Sequence, residues 1–328
     1  MPYNAKYNYI IFGSTGYYKV AYRDLFAYNN ILYLSHYMQT ITNPFIRLMT
    51  RLTFSAKVNR LVPYPLRHFT FPSLLSIHFT DNRPLCFIFF GLNSFLFQSP
   101  YYDYLRKQYP HAKYILYLQD IIARNTQLDM SLAKKQFDCI LSYDKGDCQQ
   151  YDLIYHPTPY SSFDIPKEES VQKSDVFFCG KGKDRYPLIH SIYEQCIQKG
   201  LQCDFHITDM PKSAKRINGI CYNKPLTYID NLKHITRTKC ILEIMQFGAD
   251  GFTPRLWEAL FYNKHLLTNN HTIVRSPYYD KKQTHIIDND LSDITEWIDT
   301  EVASITPSMQ DNLSPVQLIR HIESIIEQ

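Results

Sequence analysis

The sequence predicts an α/β protein of two doubly wound domains, each built around a parallel sheet, with ligand held in the cleft between them. Three observations carry this reading. The chain has 328 residues, too many for one small domain and about right for two of average size. Short, near-continuous apolar runs recur along it, as strands covered on both faces require. A stretch rich in proline and serine, His156–Ser174, interrupts the pattern mid-chain, and strand and helix then alternate afresh.

Composition removes several classes. Apolar residues at 45% and charged residues at 20% permit sizeable cores and exclude wholesale disorder. With 35 basic against 31 acidic side chains the net charge is +4, so no global charge imposes a nucleic-acid partner, and none is expected. The eight cysteines form no C-x-x-C pair and show no zinc-finger spacing with histidine, so no metal ribbon is expected. The start, MPYNAKYNYIIFGSTGYYKV, lacks a basic segment followed by a long apolar core, and no run reaches about 18 apolar residues. Reduced thiols and a cytoplasmic location follow as expectations.

Residues 1–160 form the first expected domain. Its strands are Tyr9–Phe12, Ile31–Leu34, Leu85–Phe90, Lys113–Leu118 and Cys139–Ser142. A helix over Ser99–Tyr109 begins with a Ser-Pro pair, serine as N-cap and proline at the first helical position. Residues 161–174 are the expected linker, 175–310 the second domain and 311–328 a C-terminal helix. The second domain reads as strand Asp175–Cys179, helix Tyr186–Lys199, strands Gln202–Ile207 and Gly219–Tyr222, and helix Leu226–Thr236. Strand Cys240–Ile244, helix Pro254–Tyr262 and strand His265–Thr268 follow. Ser314–Glu327 repeats the Ser-Pro helix start.

The densest chemical signal lies in Ile241–Asn270. A strand ends near Met245, a loop follows, and Thr253 caps the helix that Pro254 opens. Helix N–H groups and the helix dipole converge there, which makes a phosphate site, and Arg255 adds a cationic fork. Glu258, one turn further on, is placed to reach ribose or sugar hydroxyls. Any Thr-Pro helix start shares part of this pattern.

This segment resembles the donor-binding signature of GT-B glycosyltransferases, particularly those assembling bacterial lipopolysaccharide or capsule. The residues are Gly251-Phe252-Thr253-Pro254-Arg255, Glu258-Ala259-Leu260 and Lys264-His265-Leu266-Leu267-Thr268-Asn269. Val176–Gly180, with Lys183, Arg185 and the next helix, is similar to the family's first Rossmann strand and phosphate-side turn. Tyr109–Tyr117 and Phe137–Asp144 resemble acceptor-domain segments, so the ordered match spans most of 105–270. The resemblance implies the GT-B fold, two Rossmann-like domains whose parallel sheets face a cleft. It also implies sugar transfer from a nucleotide-sugar to a saccharide or lipid-linked acceptor, with the nucleotide-sugar as substrate and neither cofactor nor metal required. Carried over, Glu258 holds ribose, Gly251, Thr253 and Arg255 lie beneath the diphosphate, and Gly180, Lys183 and Arg185 face it, with Tyr222 on the donor side. Many retaining members carry E-x7-E. Asp250 stands at the first position here, a shorter carboxylate that departs from the pattern.

An acceptor hydroxyl in an inverting enzyme needs a general base. Asp120, after KYILYLQ, is the first candidate, followed by Asp144 and His36, each at a strand's carboxyl end. The plain alternative for each is a helix cap, a turn aspartate or a satisfied histidine. Residues 45–68 hold Arg47, Arg51, Lys57, Arg60 and Arg67 among apolar side chains with no acid between Asp24 and Asp81. That composition suits either an anionic membrane surface, here the inner face of the cytoplasmic membrane, or an ordinary solvated helix face beside a core stripe. Asp288-Asn289-Asp290 has the D-x-D form of a metal-diphosphate motif but comes too late in the chain, where a turn is expected. Two other activities fit the sequence: a nucleotide-sugar epimerase of the same architecture, and a non-catalytic nucleotide- or membrane-binding partner of a transferase.

Overall fold

The computed structural model describes residues 5–14, 16–35, 38–39, 41–73, 79–90, 97–124, 128–165, 169–245, 251–287 and 291–327. The chain divides into two compact units. One comprises Met1–Ser161 with Ser314–Gln328, the other Ser162–Leu313.

The first unit holds β1 (Asn8–Phe12), β2 (Ile31–Leu34), β3 (Leu85–Phe90), β4 (Lys113–Leu118), β5 (Cys139–Ser142) and β6 (Ile154–Tyr155). They form a parallel sheet in the order β2-β1-β3-β4-β5-β6. Every residue of β1 is buried, and Phe12 stacks on Phe89 of β3 with ring centroids 4.8 Å apart. Continuous apolar character is thus explained by a sheet covered on both sides. Gly13 ends β1 because nothing larger fits: a Cβ there would lie 2.2 Å from the Tyr33 ring. The Tyr33 hydroxyl bridges the backbone N–H (3.1 Å) and carbonyl (2.9 Å) of Ser14.

The helix Pro100–Gln108 begins at the expected Ser-Pro pair, although the Ser99 side chain makes no capping hydrogen bond. The helix Pro315–Ile326 does have its cap, with Ser314 accepting from the Val316 N–H. This last helix belongs to the first unit. Its buried Glu323 accepts from the Lys6 N–H at 2.8 Å and the Tyr9 hydroxyl at 2.9 Å, and His321 Nδ1 lies 3.0 Å from His156 Nδ1.

The second unit holds β7 (Ser174–Lys181), β8 (Cys203–Thr208), β9 (Cys221–Tyr222), β10 (Thr238–Glu243), β11 (His265–Thr268) and β12 (Thr284–Ile286). The order is β12-β11-β10-β7-β8-β9, again parallel throughout. One face, carrying Val176, Phe178, Phe205, Ile207, Cys240 and Leu242, packs on the helix Tyr186–Gln198. On the opposite face lie Phe177, Cys179, Asp204, His206 and Glu243, under the helices Tyr228–Arg237 and Pro254–Phe261. Strand order reverses between β7 and β10. In open α/β sheets that reversal splays the following loops apart and leaves a crevice at the strands' carboxyl ends. No described helix is long and apolar enough to cross a membrane.

Candidate functional site

The two loops flanking the β7/β10 reversal carry most of the predicted donor residues. After β10, Thr253 caps the helix Pro254–Phe261, its hydroxyl oxygen accepting from the Arg255 N–H at 3.1 Å. The same hydroxyl donates to Glu243 Oε1, and Thr268 of β11 donates to Glu243 Oε2 at 2.5 Å. Glu243 is buried. Burial pushes its carboxyl up, and the two hydroxyl bonds and Arg255 reverse only part of that rise. The loop's far side is fixed as well: Asn269 Oδ1 accepts from the Met245 N–H at 2.7 Å, and Asn270 Nδ2 donates to the Gly251 carbonyl at 3.2 Å. The turn opened by Pro254 is therefore held from β10 and from the end of β11.

Arg255 and Glu258 form an ion pair one helical turn apart. Arg255 also donates to the Cys179 carbonyl of β7 at 2.7 Å, which ties the helix to the neighbouring strand. Burial opposes the guanidinium's charge, yet Glu258, with smaller help from Cys179 and Tyr228, reverses this and favours the protonated Arg255. Glu258 is 0% exposed, and its Oε1 accepts from the Tyr228 hydroxyl at 2.7 Å. Its carboxylate is thus directed inward, beneath Tyr228.

Near the end of β7, Gly180 lies within the strand, where an added Cβ would press on the Phe178 ring at 3.1 Å. Lys183 is exposed and left-handed at φ 43°, its N–H donating to the Asp209 carbonyl at 3.1 Å. Arg185 donates to the Ile244 carbonyl at 2.6 Å and to the Lys181 carbonyl. Its guanidinium therefore bridges the carboxyl ends of β10 and β7. Of the three predicted cations, Arg185 and Arg255 spend hydrogen bonds on strand-end carbonyls, whereas Lys183 stands in solvent.

The remaining predicted residues are placed differently. Tyr222 sits on the edge strand β9, two strands from β7, where its hydroxyl meets the Ile217 N–H and His190 Nε2, each at 2.9 Å. Asp250 and His36 lie outside the described residues, as does Asp288-Asn289-Asp290. In the first unit, Asp120 is exposed just past β4, and its charge, after burial, helps push the Tyr18 hydroxyl up. Asp144 is buried and caps the helix Lys145–Tyr151, accepting from the Asp147 N–H at 2.8 Å. Asp147 in turn accepts from the Ile122 N–H at 2.9 Å, so this cap steadies the loop that carries Asp120.

Sequence reading missed Glu243, Tyr228 and Thr268. A signal existed for Glu243, since a lone carboxylate inside the apolar run Cys240–Met245 must find donors when buried. Tyr228 gave none, because its partner is 30 residues away on another helix.

No family model matches the sequence, and no curated protein matches it. Among solved structures, the chain is similar to an alpha-glucosyltransferase in complex with UDP and a 13-mer DNA containing an HMU base. That alignment has a TM-score of 0.55 at 8% identity and covers 98% of this chain and 99% of the other. It is also similar to an alpha-glucosyltransferase in complex with UDP-glucose and DNA containing an abasic site, with a TM-score of 0.52 at 12% identity over 97% and 94% of the two chains. At such identities the likeness speaks to fold alone. Two α/β units, each around a six-stranded parallel sheet, give this chain the fold class of the GT-B glycosyltransferases.

Proposed function

We propose that the protein transfers a sugar from a nucleotide-activated donor to a saccharide or lipid-linked acceptor of surface polysaccharide or lipopolysaccharide synthesis. The observation that carries this reading is the convergence of two loops at the β7/β10 reversal. One brings the Thr253-capped helix start, the other the exposed Lys183. Sugar transfer expels a nucleoside diphosphate, and negative charge grows on its leaving oxygen. A helix start and a lysine stabilise that charge without a metal. Arg185 and Arg255 act by holding the strand ends at fixed spacing. A ribose reaches Glu258 by taking the place of the Tyr228 hydroxyl on its carboxylate. As the acceptor oxygen bonds to the anomeric carbon and the bond to phosphate breaks, Asp120 accepts the hydroxyl proton.

A lipid-linked acceptor is favoured by the surface of residues 45–69. Phe45 (67% exposed), Leu61 (86%) and Phe69 (74%) stand in solvent with Leu48, Leu52, Val62 and Leu66, interleaved with exposed Arg47, Arg51, Lys57, Arg60 and Arg67. The helix Pro44–Thr53 buries Thr50 and Thr53 and packs Ile46 on the core, while its Phe45, Leu48 and Leu52 face solvent. Nucleic-acid backbones reward basic groups but not seven exposed apolar ones, whereas a lipid headgroup layer rewards both. Vesicles containing phosphatidylglycerol are expected to sediment the protein and neutral phosphatidylcholine vesicles to leave it in solution. Replacing Arg47, Arg51 and Arg60 by glutamate should weaken that binding at least about a hundredfold, at roughly 1 kcal/mol per basic charge removed. Failure to sediment with either vesicle type excludes a membrane surface as the partner of residues 45–69.

The activity itself is tested by incubating labelled nucleotide-sugars with lipid-linked saccharides, with oligosaccharides and with DNA. Label appearing in saccharide supports the reading. Conversion of the donor's own sugar without acceptor identifies an epimerase, and binding without turnover identifies a non-catalytic partner.

A further inference from the structure

A second polar cluster lies on the same face of the second unit's sheet, two strands removed from β10. Asp204 and His206 are two residues apart on β8 and so share a face, and the helix Tyr228–Arg237 lays His234 over them. One Asp204 oxygen is 2.9 Å from His206 Nε2 and the other 2.5 Å from His234 Nδ1. One ligand atom from each of the three residues falls within 4.8 Å of the others. The imidazoles meet edge to face at 4.9 Å between centroids, and Phe177 stacks on His234 at 5.4 Å. Strand register sets Cys179 of β7 and Cys221 of β9 on either side of His206, on the same face.

A hydrogen-bonded triad alone accounts poorly for this arrangement. The carboxylate can accept from both imidazoles, one at each oxygen, but 2.5 Å at His234 Nδ1 is short for an N–H···O bond. His206 Nδ1 is buried with no hydrogen-bond partner among the described residues, so nothing outside the cluster fixes the ring as an Nε2–H donor. Four-coordinate zinc, with bonds of about 2.0–2.2 Å, keeps its donor atoms about 3.3 Å apart, within a small side-chain rotation of the distances seen. The side chains of Asp204, His206 and His234 are 26%, 12% and 18% exposed, so an ion can enter.

We propose that Asp204, His206 Nε2 and His234 Nδ1 bind a divalent transition-metal ion of the zinc class, with the fourth position filled by water or by the thiolate of Cys179 or Cys221. The ion links β8 to the helix whose first turn holds Tyr228 against Glu258. The site is structural and independent of the transfer reaction, no step of which passes through the ion.

Full-length protein stripped with EDTA and titrated with Co²⁺ is expected to develop the visible absorption of a four-coordinate site. The signal should saturate at one ion per chain and be displaced by Zn²⁺. His206→Gln and His234→Gln should each weaken binding at least about a hundredfold. Where a variant does not fold, diethyl pyrocarbonate labelling of the unaltered chain gives the same answer: Zn²⁺ should protect His206 and His234 but not the exposed His68 and His111. The proposal is overturned by the absence of a one-site Co²⁺ spectrum, by a spectrum that persists in both variants, or by equal labelling of His206 and His234 with and without Zn²⁺.

Discussion

Arg255→Ala is expected to destabilise the protein by about 3–5 kcal/mol, because it strands the Glu258 carboxylate in a site with no solvent access. The cost exceeds that of a surface ion pair, which is worth at most about 1 kcal/mol. It combines the lost partner charge with the unmet carbonyl of Cys179. Glu258→Leu should cost a similar amount by leaving the guanidinium unpaired. The double variant Arg255→Ala, Glu258→Leu buries no charge, so it should regain much of the loss, with a coupling energy of about 2 kcal/mol or more. Urea denaturation of the four proteins reads this directly. Strictly additive single costs would mean that the pair does not act as a unit and that helix packing alone holds Pro254–Phe261 in place.

Asp120→Asn should lower kcat by a factor of about 10²–10⁴, the usual worth of a positioned general base, while the donor dissociation constant stays unchanged. The asparagine keeps shape and polarity and removes only the ability to take a proton. Stability should be unaltered within about 0.5 kcal/mol, since Asp120 is exposed. Asp144→Ala is the informative contrast. It alters a helix cap beneath the Asp120 loop, so its first effect should be a loss of about 1 kcal/mol in stability. A turnover rate for Asp120→Asn within twofold of the parent would remove Asp120 as the base.

Much of this architecture is legible in the sequence because its grammar is local. Runs such as Leu85–Phe90 and Lys113–Leu118 are apolar on both faces, which only a covered strand tolerates. Thr253-Pro254, Ser99-Pro100 and Ser314-Pro315 announce helix starts within two residues, and the structure begins helices at each proline. What stays illegible is nonlocal. Strand order decides that the loops after β7 and β10 are neighbours, and nothing in either loop states it. Arg185 and Arg255 read as cations in sequence, but their use as clamps on the carbonyls of Lys181, Ile244 and Cys179 depends on that order. The Asp204, His206 and His234 cluster shows the same limit, since register and a helix 30 residues further on assemble it. The short strand Thr284–Ile286 gives no hydrophobic period long enough to detect.

The proposed donor site holds a pyrophosphate where the Pro254 helix start faces the loop after β7. Lys183→Asn isolates it: asparagine accepts the left-handed backbone at φ 43°, and the side chain is exposed, so the fold is unperturbed while one cation is removed. Calorimetric titration with UDP, GDP, dTDP, ADP and CMP should find one diphosphate that binds the parent protein. The same nucleotide should bind Lys183→Asn about tenfold more weakly, at an unchanged melting temperature. If no diphosphate binds, or if parent and variant bind it equally, the pyrophosphate lies elsewhere or nowhere on this chain.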